Sequence, residues 1–286
     1  MIYEIVAAIA AGAALASGPI DEDYNQAAPV NQLPPTFGSG QLRYYPNAGF
    51  SPPPVNLIID NSELTIPTDA VPRTGYTMGN LAKSATMISG TFQLHAGSGG
   101  LEGSASFDVF NTLPNGLLTP DSGFHMAITR TGWMLTAYVN KVLSYNTTTQ
   151  TVQWVVPDAY AADTVNWSND SVVGRVNVAS GWFAVNGIGS TLPTETPIYF
   201  EADLAGTSDN SATMATLTFL VGGSTGVPIT LYDGNGNKLS NPLTINLSHV
   251  ASSLPAVPPI GQYACWEVFQ SASSDDRAGF LHIHAE

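Results

Sequence analysis

From Val55 onward the chain alternates apolar and polar residues with a period of two, and no stretch after residue 20 carries a helical period. Phe92, Leu94 and Ala96 form one such face, and Ala105, Phe107 and Val109 another. The pattern returns at Phe124–Ile128, Trp133–Val139, Ala215–Val221 and Leu243–Leu247, and again at Phe280–His284. Successive strand side chains point to opposite sides, so this is the signature of half-buried antiparallel strands. Clusters of Gly, Asn, Asp, Pro and Ser between the runs supply the turns. Roughly a dozen or more such strands predict an all-β fold, a two-sheet antiparallel sandwich or jelly roll.

A length of 286 residues suits one large β domain or two small ones. Charged residues make up only 10%, far below the usual quarter, and Ser, Thr, Asn and Gly take their place. Such a surface is common in extracellular and virion β proteins. Eight Lys and Arg against 22 Asp and Glu give a net charge of −14, which excludes nucleic acid as a partner because phosphate binding draws on Lys and Arg. Cys265 is the only cysteine, so no intrachain disulfide forms. Within the run Tyr263–Phe269 it reads as a small buried hydrophobe.

The N-terminal part reads differently. Ile5–Ser17 is an unbroken run of apolar and small residues closed by Gly18-Pro19. Met1–Glu4 lacks the cationic residues of a secretory signal, although Ala14-Leu15-Ala16 would suit cleavage. The run is too short to span a bilayer. Ile2, Ile5, Val6 and Ile9 fall on one helical stripe, and Ala8 and Gly12 permit close helix approach. Residues 1–19 are therefore expected to be an apolar docking helix, with Ile2, Ile5, Val6, Ile9 and Gly12 as assembly contacts. Membrane contact by residues 1–20 is the alternative. Half of the twenty prolines lie between Pro19 and Pro72, which predicts an extended arm over residues 20–54, along the chain's own surface or a neighbour's.

The stretch Phe124-His125-Met126-Ala127-Ile128-Thr129-Arg130-Thr131-Gly132-Trp133-Met134-Leu135-Thr136-Ala137-Tyr138-Val139-Asn140 resembles the paired strands of concanavalin A-like and laminin-G-like sandwiches. The chain departs from them at Lys141, where that family usually has Gly. The resemblance implies a lectin-like sandwich over residues 55–222. That architecture serves lectins, glycanases, adhesion modules and phage proteins alike, so it does not name a function. Val227–Lys238 resembles a hairpin of immunoglobulin-like adhesin repeats. Residues 223–286 are expected either to complete the sandwich or to form a small separate β unit.

Candidate chemistry is sparse. Glu201 and Asp203 share one face of a strand, but residues 205 and 206 are Ala and Gly where a glycanase of this class would present a third carboxylate. Glu267 beside Trp266 would have to supply the second acid of a retaining pair. Asp233-Gly234-Asn235-Gly236-Asn237 places oxygen ligands at alternate positions, yet Thr244 stands where a calcium loop has its bidentate Glu. A type I′ turn is the expected reading. His282 and His284 share a strand face without a third ligand at metal spacing, and His95, His125 and His249 are scattered. Neither a G-x-S-x-G elbow nor a phosphate loop is present. Among the tryptophans, Trp167 within Asn166–Asp170 is the expected glycan contact, while alternation assigns Trp133 and Trp182 to inward faces.

These observations predict a non-enzymatic structural and attachment protein of a multi-subunit particle, without cofactor or metal. The best single picture is a bacteriophage virion component, such as a capsid, decoration, spike or tail-fibre subunit. Its partners would be copies of itself, other virion proteins and a host-surface glycan. The rival readings are a secreted carbohydrate-binding module or glycanase and a membrane-tethered surface adhesin.

Overall fold

The computed structural model describes residues 18–24, 42–46, 57–66, 73–81, 85–95, 104–110, 120–146, 151–155, 164–167, 170–173, 176–185, 191–206, 212–247, 263–270 and 277–286. The expected docking helix, with Ile2, Ile5, Val6, Ile9 and Gly12, lies outside the described residues, as does most of the arm. Among the described residues all regular structure is β.

In chain order the strands are β1 (Ile20–Glu22), β2 (Leu42–Pro46), β3 (Ile58–Asp60), β4 (Glu63–Thr65), β5 (Arg73–Asn80), β6 (Met87–His95) and β7 (Ser104–Phe110). Then come β8 (Pro120–Ile128), β9 (Gly132–Asn146), β10 (Thr151–Val155), β11 (Thr164–Trp167), β12 (Asp170–Val173), β13 (Val176–Ala184) and β14 (Ile198–Gly206). The last are β15 (Ala212–Val221), β16 (Val227–Pro228), β17 (Thr230–Asp233), β18 (Lys238–Leu239), β19 (Leu243–Asn246), β20 (Tyr263–Gln270) and β21 (Arg277–Ala285).

Apart from β11 and β12, which pair with each other as a separate hairpin, they form two antiparallel sheets. The first runs β1–β21–β6–β14–β15–β19, with β4 bridged to β21, β3 paired to β4, and β16 paired to β15. The second runs β2–β5–β20–β7–β8–β9–β13–β17–β18, and β10 pairs with the far half of β9. A single bridge, Gln270 to Arg277, ties one sheet to the other. The stretch that carries the resemblance folds as the β8–β9 hairpin, with Phe124 opposite Ala137 and Ile128 opposite Trp133. Strands drawn from residues 223–286 enter both sheets: β19 joins β15, β17 joins β13, β20 joins β5 and β7, and β21 joins β6. Two pieces of the expected arm, β1 and β2, pair with the edges of their own chain's sheets, and Ile20 and Tyr24 are buried in the core.

Alternation places one face of each strand between the sheets. Phe200 of β14 stacks on Phe107 of β7, with centroids 4.1 Å apart and planes 7° apart, and so joins the two layers. Phe92 and Phe280 extend this cluster in the first sheet, while Phe183 and Trp133 pack on Phe219 at its other end. Each fully buried ring of this kind contributes about 1.5–3 kcal/mol over its exposed state. Gly90 makes room for the stack, since a Cβ there would lie 2.8 Å from Phe200 Cε1.

Candidate functional site

The outer face of the second sheet presents an aromatic pair, exposed Trp182 and half-buried Tyr232. On β13, Phe183 and Val185 are buried while Trp182 is 38% exposed. The expected inward place for Trp182 is thus corrected. A β-bulge between Asn177 and Ala179, where β13 meets β9, inserts one residue and reverses which parity faces the core. Trp133, whose strand keeps its parity there, is buried as expected.

Register puts Trp182 opposite Tyr232 of β17 on one side and Gly132 of β9 on the other. The Trp182 and Tyr232 rings are nearly parallel, with planes 13° apart and centroids 5.9 Å apart. Gly132 leaves the far flank of the indole without a side chain. The outer end of the indole reaches the next turn, where a Cβ on Gly236 would stand 3.7 Å from it. Close approach of the strands sets this geometry: a Cβ on Gly181 would overlap the Tyr232 carbonyl oxygen and lie 2.7 Å from its carbon.

The turn beside the platform is built by Asp233. Its carboxylate accepts from the Asn235 and Asn237 amides at 2.8 and 2.9 Å and from Asn237 Nδ2 at 2.9 Å. Those bonds, the Asn237 side chain first, hold the Asp233 carboxyl below its usual value. The oxygens are spent on the turn itself, which weighs against a calcium loop. The expected type I′ turn is also corrected: only Gly236 of the central residues has a positive φ, at +88°, and the Gly236 amide bonds the Asp233 carbonyl at 3.1 Å. This is a three-residue hairpin loop closed by a left-handed glycine. It presents Asn235, Asn237 and Lys238 to solvent next to the aromatic pair.

Other predicted residues fall elsewhere. Glu201 and Asp203 do share the outer face of the first sheet, with Tyr199 donating a hydrogen bond to Glu201. Burial, with the Glu201 bond added, pushes the Tyr199 phenol up to about 12, and burial beside Glu201 raises Asp203. Glu267 stands on β20 of the other sheet, so the two strands do not bring a retaining pair together. Trp167 ends β11 opposite Asp170, at the tip of the small β11–β12 hairpin; its side chain is outside the described set. Cys265 lies on β20 between Met78 and Asp108 in register.

The histidines are less scattered than the sequence implied. Asp21 Oδ1 lies 2.6 Å from His282 Nε2 and 3.6 Å from His284 Nδ1, and the two rings lie 6.5 Å apart at 15°. The His282 bond, reinforced by both histidines, lowers the Asp21 pKa against the opposing effect of burial. Sequence reading missed this because Asp21 sits in the expected arm, far from residues 282–284. No group of three or more His, Cys, Asp or Glu among the described residues is set to hold a metal ion. His95 joins Glu63 and Glu195, again across distant segments.

No family model matches the chain, and no curated protein matches it in sequence. Among solved structures, it is similar to the exoplasmic/lumenal domain of VIP36 in a Ca2+/Man2-bound form, at 10% identity and a TM-score of 0.46, covering 90% of this chain and 86% of that one. It is also similar to a legume lectin-like domain from Entamoeba histolytica, at 7% and 0.39, covering 86% and 89%. Peanut lectin follows at 10% and 0.36, covering 94% and 97%. At such values these likenesses say nothing of what this chain binds.

Proposed function

We propose that this sandwich is a non-enzymatic carbohydrate-binding module that takes a sugar ring against Trp182 and Tyr232. The observation that supports it is the nearly parallel pair of exposed Trp182 and half-buried Tyr232, flanked by Gly132 and bordered by the Asp233–Asn237 turn. A pyranose offers a C–H face that packs on an aromatic ring, while its hydroxyls reach polar groups at the rim. Asn235, Asn237 and Lys238 stand at that rim. The net charge of −14 disfavours polyanionic glycans, so the reading is for a neutral saccharide.

The test is a glycan array followed by calorimetric titration of the best hit. Trp182→Ala is expected to weaken binding by about ten-fold or more, the loss of roughly 1.4 kcal/mol or more of aromatic contact, with Trp182→Phe in between. Full-strength binding by Trp182→Ala, or an array without any hit, would sink the assignment.

The wider reading, a phage attachment subunit held by its N-terminal segment, draws on the apolar run Ile5–Ser17 and the proline-rich arm. Because Ile20 and Tyr24 belong to the core, its test is a chain starting at Gly18 and not one starting at Val55. Light scattering that finds the full chain oligomeric and the shortened one monomeric supports it; two identical monomers refute it.

A further inference from the structure

We propose that Glu63, His95 and Glu195 form a proton-operated latch, which pins the segment 191–197 to the end of β6 while His95 is an imidazolium and releases it when the ring is neutral. The geometry demands the charged ring. His95 Nε2 lies 2.7 Å from Glu63 Oε1, and His95 Nδ1 lies 2.9 Å from Glu195 Oε2. A neutral imidazole has one N–H, so one of these contacts would then set a lone pair against a carboxylate.

The two carboxylates are not equivalent. Glu63 is buried, packed over Gly279, where a Cβ would overlap its carboxyl group. The Glu195 side chain is 60% exposed, and Gln93 Nε2 holds it from one side at 3.2 Å. When the proton leaves, Glu195 is the group with somewhere to go. Its backbone sits in the left-handed region at φ 53°, an unfavourable place for a side-chain-bearing residue, and is kept there by its own amide bond to the Leu94 carbonyl at 2.8 Å. The anchors at the two ends of the segment, the Leu192 amide on the Arg130 carbonyl and the Pro197 carbonyl accepting from the Gly222 and Gly223 amides, do not involve the latch.

The charged groups facing His95 are Glu63 of β4, Glu195, and Arg277, its register partner on β21. Burial favours the neutral ring and Arg277 adds to that, but the Glu63 bond and charge, with Glu195 beyond, outweigh both and raise the pKa above the ordinary histidine value. The sign follows: the latch is fully closed below the unfolded value of roughly 6.5 and is lost as pH rises through the higher folded value.

Hydrogen exchange by NMR on the whole chain, corrected for intrinsic base catalysis, tests this at pH 5.5 and pH 9. The Glu195 amide is expected to lose protection by roughly three- to ten-fold at the higher pH, a screened charge-assisted bond, while the Leu192 amide stays constant. Glu195→Gln, an exposed change that should not disturb folding, is expected to show the lower protection at both pH values. Equal protection of Glu195 at both pH values in the unaltered chain, or a Glu195→Gln variant that still responds to pH, overturns the latch.

Discussion

Gly181 is where the platform and the fold make the same demand, so Gly181→Ala tests both. Its added methyl would overlap the Tyr232 carbonyl oxygen and stand 2.7 Å from the carbonyl carbon and 3.2 Å from Asp233 Cα. All three obstacles are backbone, so no side-chain rotation relieves them. The strands β13 and β17 must part at the end of a ladder that pairs Gly181–Ala184 with Thr230–Asp233. Overpacking of one methyl costs about 1–3 kcal/mol. Weakening one ladder hydrogen bond adds about 1 kcal/mol. The sum, about 2–4 kcal/mol, corresponds to a drop in thermal midpoint of roughly 3–7 °C for a chain of this size. Differential scanning calorimetry reads the midpoint, and near-ultraviolet circular dichroism reports whether the Trp182–Tyr232 environment changes with it. A midpoint within 2 °C of the unaltered chain would refute the register proposed for β13 and β17.

Two other glycines of the adjoining turn separate backbone conformation from space. Gly234→Ala meets nothing within 4 Å and has no positive φ, so it is expected to be neutral or to stabilise by about 0.4–1 kcal/mol; Gly236→Ala, at φ +88°, is expected to cost about 1–2 kcal/mol, both measured by urea denaturation. In a spectrophotometric titration at alkaline pH, one tyrosine is expected to ionise near 12, held protonated first by burial and then by Glu201, and Tyr199→Phe is expected to abolish that late step. A curve unchanged by the substitution would contradict the Tyr199–Glu201 bond.

The strands were legible because alternation is local: Phe92, Phe107, Phe200 and Phe219 each announce an inward face from their immediate neighbours, and all are buried. The platform was not legible. Its key residue, Trp182, changes sides through a bulge at Asn177–Ala179, and a bulge is a property of two strands together that the alternation of one strand does not reveal. Tyr232 and Gly132, which make Trp182 a site, lie fifty residues away on either side, as the pairing of β13 with β17 and β9 shows. The same reason hides the carboxylate partners of the histidines. Asp21 and His282 meet only because β1 pairs with β21, and Glu63 and His95 because β4 and β6 both border β21. The turn at Asp233–Asn237 was read correctly as a turn, yet its type depended on which glycine takes the left-handed conformation, and the two glycines of that motif look alike in sequence.

The place of β21 has a consequence for how this protein is made. The strand lies between β1 and β6, so that Ile20 pairs with Ala285 and Ile88 also pairs with Ala285 from the other side. While a ribosome is still translating, β6 and β14 have both been synthesised, but the opposite edge of β6 has no neighbour until residues 277–285 emerge. Until then the nascent chain carries an open strand edge beside Phe92 and Leu94, the kind of surface on which chains join one another. Premature termination before Arg277 would therefore yield an aggregating fragment and not a working module, and the demand on chaperones lasts until β21 has emerged.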